Sequence, residues 1–368
     1  MRYFNFLLVV LMAVLLVFSC KTDEEVVVVE DNFDRTAFLT NYADNFIIPA
    51  FDTLLSEYAN YKLVLEGFEN DLSAEKLLEL RQAWTALYYR WQHLSSFNFG
   101  PAGSFGLRRT MYEEQGAFPV DTARIESRIA SGDYLLEDSF RKTRGLCSVQ
   151  YLLFKELDPQ QCLEGFDTNR LAYLVAISNL FEDFMQNVRE EWKASYRETF
   201  IANLKTNVTS STTQMYNGFL MDFFRISNYK MATSLGLTSK QEEVDPYLLD
   251  VFYSKQSGAF IRYQFEVLID LFEGESKGAP NQIGWADYIA MSNSAGEELT
   301  INIREKTEAV RVAFDALPTD VSLEELVEEE DQLAIDLNYA LADLYRLFES
   351  DMSSILGLAV TFDIDDGD

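Results

Sequence analysis

The segment SAEKLLELRQAWTALYYRWQHL, residues 73–94, places Leu77, Leu80, Trp84, Leu87, Trp91 and Leu94 at intervals of three and four. An α-helix turns once in about 3.6 residues, so this spacing gathers the six side chains on one face that must be covered by another apolar surface. Ser73 is a candidate N-cap, although Lys76 stands where a full capping box wants Glu or Gln. The same stripe runs through SLEELVEEEDQLAIDLNYALADLYRLFES, residues 322–350, with Leu323, Leu326, Leu333, Leu337, Leu341, Leu344 and Phe348. Glu324 and Glu325 sit in its first turn, where the helix dipole favours negative charge. Similar periodicity predicts helices over 34–66, 167–204, 212–231, 258–272 and 294–316.

Strand patterning is scarce. Val26–Val29 is β-branched but lies close to the N-terminus, and GLAVTF, residues 357–362, is a single short extended candidate. Gly and Pro mark loops at 99–121, 157–166, 232–246 and 273–285. The first carries Gly100, Pro101, Gly103, Gly106, Gly116 and Pro119, and is longer than ordinary helix connections. Long helices joined by mostly short connections give an all-α chain of up-and-down, four-helix-bundle-like units. With 368 residues, 48% of them hydrophobic, the chain can bury one large core or two of ordinary size.

The first twenty residues, MRYFNFLLVVLMAVLLVFSC, read as a secretory signal: Arg2 supplies the positive start and a short apolar core follows. The closing VFSC resembles a bacterial lipobox, which implies cleavage before Cys20 and lipidation of that cysteine. Acyl chains on Cys20 would hold the protein to membrane lipid. Residues 20–32 then form a charged tether, and Lys21 directly after Cys20 leans towards the outer membrane, facing periplasm or cell surface. The run Asp23–Glu25 resembles an export tag of surface-exposed lipoproteins. Of the remaining thiols, Cys147 and Cys162 are separated by most of a helix, so two free buried thiols are expected.

Lys plus Arg number 30 against 60 Asp plus Glu, a net charge of −30 that repels phosphate backbones, so no nucleic-acid partner is expected. The one histidine, His93, excludes H-E-x-x-H zinc chemistry and any site needing two imidazoles. His93 lies two residues past Trp91, on the flank of the stripe, where a boundary role is expected. No G-x-S-x-G, G-x-x-x-x-G-K or G-x-G-x-x-G occurs. The terminal DIDDGD offers Asp363, Asp365, Asp366 and Asp368 as oxygen ligands, but its glycine is misplaced for a calcium loop and no distal Glu follows.

Several blocks together resemble the imelysin-like family. They are NYADNFIIPAF (41–51), Trp84 and Trp91 followed by FNFGPAG (97–103), FPVDTARIESRIASGDY (118–134), RGLCSVQYLLF (144–154), DPYLLDVFYSKQS (245–257) and the ending DMSSILGLAVTFDIDDGD (351–368). The resemblance implies two helical domains, which we place at 33–200 and 201–368. It also implies an association with iron uptake and carries a peptidase label. The family's Gly-x-His-x-x-Glu motif is degenerate here: Gly145 is kept, Cys147 replaces His and Gln150 replaces Glu. A neutral amide and a thiol make a poor metal pair. From the degenerate motif we expect no catalytic residue, no metal and no cofactor, and from the resemblance a binding component of iron or haem acquisition with an uptake protein as its candidate partner. The alternatives are a peptidase-like enzyme with an unrecognised site and a structural lipoprotein that docks another protein. Trp91, Phe99, Gly100, Arg108 and Arg109 are the residues expected at a cleft near Gly145, where the two arginines either meet an anionic group or stand in solvent balancing Glu113 and Glu114.

Overall fold

The computed structural model describes residues 33–104, 109–132, 134, 136, 140–276 and 282–361. Cys20 with its leader and tether, Arg108 and the DIDDGD ending lie outside them. Among the described residues the chain is all-α, with a lone bridge between Thr238 and Gln241 in place of any sheet. No described helix is long and apolar enough to cross a membrane.

The striped segment forms helix Ala74–Trp91, capped by Ser73, whose hydroxyl accepts from the Lys76 amide at 3.4 Å. Its six stripe residues are all buried. It packs on helix Ile48–Asn70, which in turn meets helix Thr168–Glu191, where the Tyr58 hydroxyl donates to the Ser178 carbonyl at 2.7 Å. Helix Leu146–Phe154 closes this set, with Trp84 Nε1 donating to the Leu146 carbonyl at 3.1 Å. A second set comprises Ser211–Phe224, Ser257–Glu273, Ser294–Ala316 and Gln332–Arg346, joined by rings such as Phe223 on Phe265 and Phe265 on Phe314. Apolar packing runs without a break from one set to the other: Trp84, Tyr88 and Tyr89 all place their rings against Phe260.

Three expectations need correction. The 322–350 stripe is not one helix: Leu323–Glu328 stops, Glu330 takes φ of 53°, and Asp331 caps a new helix by accepting from the Leu333 amide at 2.8 Å. Four consecutive acids supply nothing to bury, so the chain breaks there. The 99–121 and 157–166 loops contain helical turns. Thr110 and Glu113 form a capping box for Met111–Gln115, and Asp158 with Pro159 starts Pro159–Glu164. The described part of GLAVTF forms no strand; it is held by the side chain of Asn217, which bonds the Ala359 carbonyl and the Thr361 amide. Helices Thr122–Ser131 and Trp285–Ser292 are additional to those that periodicity predicted, each shorter than three turns.

Candidate binding site where the two helix sets meet

Gly145 leads into helix Leu146–Phe154 with φ of 80° and ψ of −175°, a conformation essentially reserved for glycine. A Cβ there would lie 2.5 Å from the Gln115 carbonyl oxygen, so the 99–121 loop is pressed directly onto this turn. Cys147 is 1% exposed, and its Sγ donates to the Gly116 carbonyl at a long 3.9 Å. Burial, and next the Asp250 carboxylate, push its thiol up to about 12 against the opposing influence of Lys230 and Tyr88. Gln150 is equally buried and donates through Nε2 to the Val251 carbonyl at 2.8 Å. A metal would need the thiolate and a carboxylate at these positions. The thiol is held protonated, the amide is committed to backbone, and among the described residues no three His, Cys, Asp or Glu side chains converge. The residues present do not fit a metal. Cys162 is also free and buried, donating to the Leu153 carbonyl at 3.4 Å.

Beside the motif runs a ladder of buried polar groups. Asp250 Oδ2 accepts from the Tyr88 hydroxyl at 2.7 Å and pairs with Lys230 Nζ at 2.5 Å. Lys230 also donates to Gln264 Oε1 at 2.7 Å, and Gln264 Nε2 donates to Asp222 Oδ1 at 2.9 Å. Asp222 further accepts from the Ser95 and Ser96 hydroxyls at 2.5 and 2.9 Å and pairs with Arg225 at 3.3 Å. Two cations therefore balance two carboxylates inside a nearly dry core, the condition under which buried charge is tolerable.

Sequence reasoning missed this ladder. Arg225 and Lys230 are five apart, about 140° around a regular α-helix from one another. Here they lie in a π-helical segment, Arg225–Ala232, whose i→i+5 turns bring residues five apart to one side. One legible signal existed: Asp222 interrupts the otherwise apolar run Phe219–Phe224.

Arg225 joins the ladder to a cavity of about 1070 Å³ whose walls include Phe99, Tyr112, Phe118, Phe140 and Met221. The guanidinium carbon of Arg225 sits 3.7 Å over the Tyr112 ring. Of the residues expected at a cleft, Phe99 lines the cavity. Trp91 is buried behind Tyr112, their ring centroids 6.0 Å apart. Gly100, with φ of 54°, is pressed against the Tyr196 ring, where a Cβ would clash at 2.2 Å. Arg109 lies at the surface and off the cavity wall, its amide 3.4 Å from Glu114 Oε1. The arginines that engage Glu114 are Arg141 and Arg144, at 2.9 and 2.7 Å. Burial pushes the Glu114 carboxyl up, but these two guanidinium groups outweigh it and hold the group below the usual carboxylate range. His93 is half-buried on the flank, its Nε2 2.8 Å from the Tyr263 hydroxyl.

The Imelysin family, a peptidase M75 grouping, matches residues 47–349. The chain belongs to the imelysin family. Among curated proteins, iron-regulated protein A of Synechococcus elongatus is 20% identical over 254 residues, 65% of this chain. The match spans 66% of that relative's length, just short of two thirds. Two solved folds resemble this imelysin-family chain. A protein of Parabacteroides distasonis, assigned as an iron-regulated protein A precursor, has a TM-score of 0.69 and 17% identity, covering 88% of this chain and 95% of its own. An imelysin-like protein from Psychrobacter arcticum has a TM-score of 0.70 and 17% identity, covering 89% and 97%.

Proposed function

We propose that this imelysin-family chain is a lipid-anchored, non-enzymatic binding component of iron acquisition, held to the outer membrane through Cys20, with its ligand taken in the cavity beside Tyr112. The observation that carries the reading is the fate of the family motif. At the positions of the family motif's His and Glu stand a protonated thiol and a neutral amide, both buried and hydrogen-bonded to backbone. Neither supplies a nucleophile or a charged ligand. The cavity a few residues away is instead roomy enough for a small molecule, at or just above the top of the usual range for ligand sites. The iron connection is supported by relatives named as iron-regulated. The test is growth under iron limitation. A strain lacking the gene should grow more slowly only when iron is scarce. The wild-type gene should restore growth, and Cys20→Ala, released from the membrane fraction, should not. Equal growth of deletion and parent strains in iron-limited medium would sink the proposal.

A further inference from the structure

We infer that the cavity binds an amphipathic organic anion, with an aromatic or aliphatic body on the Tyr112, Phe118, Phe140 and Met221 walls and its acidic head group on Arg225 and Lys142. This names the ligand class of the site proposed above and rests on the reading of that cavity as the ligand site.

The charge count carries it. Within the ladder, Arg225 and Lys230 are matched by Asp222 and Asp250, so that group is neutral as a whole. The match at Arg225 is partial. Its Nη1 is shared between the Ser95 carbonyl and Asp222 Oδ1, both at 3.3 Å, while Nε and Nη2 have no partner among the described residues. Arg225 is 8% exposed, and it lines the cavity, so the unshared edge of the guanidinium faces that space. A guanidinium edge left without an acceptor in such a site is a recognition element for a carboxylate or sulfonate. Lys142 adds a second cation at the rim whose ammonium has no partner among the described residues.

Two carboxylates also line the cavity, and both are engaged elsewhere. Glu113 accepts from the Thr110 amide at 3.0 Å, and Asp121 accepts from the Arg124 amide at 3.0 Å and from Arg124 Nε at 3.3 Å. In a chain of net charge −30, a cavity walled by a partly shared guanidinium and by an ammonium with no partner among the described residues stands out against the general field. The Tyr112 ring fixes the guanidinium plane from beneath, which leaves little ordering to be done when an anion arrives.

Two probes with nearly the same aromatic body separate the possibilities: 8-anilinonaphthalene-1-sulfonate, which carries the anion, and N-phenyl-1-naphthylamine, which does not. The full chain is held in detergent, and protein-free micelles serve as the blank for fluorescence titration. The expected result is one site, tighter for the sulfonate. Arg225→Met should weaken the sulfonate about tenfold and leave the amine within about twofold, the scale of one lost charged hydrogen bond. Lys142→Ala, an exposed change that spares the fold, should weaken the sulfonate alone by about threefold. Binding of both probes that neither variant alters overturns the anion assignment while leaving the cavity a ligand site. Equal loss of both probes in Arg225→Met, with Lys142→Ala inert, makes Arg225 a wall residue and also overturns it. Failure of both probes to bind removes the cavity as the ligand site.

Discussion

Lys230 is the side chain whose energetics are most exposed to test. Its ammonium is 1% exposed and meets Asp250 and Gln264, so it has exchanged water for two protein acceptors. Removing one partner of such a pair strands the other charge, which typically costs about 3–5 kcal/mol, whereas removing both with apolar groups of similar size is often near neutral. We therefore predict that Lys230→Met lowers unfolding free energy by about 3–5 kcal/mol, and that adding Asp250→Leu recovers most of that loss. Urea denaturation of the two variants checks this. A single variant within about 1 kcal/mol of the parent would show that water or a neighbouring group compensates the stranded carboxylate.

At the scale of elements, the turn into helix Leu146–Phe154 shows why a motif can keep its glycine after its chemistry has gone. Gly145 is required by geometry: its φ of 80° and the 2.5 Å approach to the Gln115 carbonyl leave no space for a Cβ. Cys147 and Gln150 need only fill volume and satisfy their polar atoms. Gly145→Ala should cost about 2–4 kcal/mol from backbone strain plus the clash with a carbonyl that cannot rotate away. Cys147→Ala removes only a small buried thiol and should cost about 1–2 kcal/mol. Thermal melts of the two variants, compared side by side, test the order; a costlier Cys147→Ala would mean the thiol, not the glycine, holds this turn. The motif glycine was legible in the sequence. The hydrogen bond from Gln150 to Val251 was not, because its partner lies 101 positions away.

For the molecule as a whole, the division proposed at 200/201 separates two helix sets that share one apolar core and one ionic ladder. Tyr88 and Ser95 of the first half meet Asp250 and Asp222 of the second. The N-terminal helix Arg35–Asn41 also reaches into the second half, with Phe38 against Trp285 and Asn41 Nδ2 donating to the Gly274 and Ile283 carbonyls. Neither half can separate without exposing buried charge. We predict one cooperative unfolding transition, coincident by far-ultraviolet circular dichroism and by tryptophan fluorescence. Two resolved transitions would show that the halves are energetically independent despite the shared core.

Local rules were enough for the all-α class, most helix positions and the family, because a stripe of period 3.6 and a run of short blocks are properties of neighbours along the chain. Local rules also flagged Gly145 and Phe99. They could not place Arg225 and Lys230 on one side of a helix, since the π-helical segment that does so is held by packing rather than announced by residue type. Nor could they pair Asp250 with Lys230, or show that Arg225, rather than Arg109, lines the cavity. Charge in a dry interior is tolerated only where partners from distant segments converge. That convergence belongs to the tertiary structure alone.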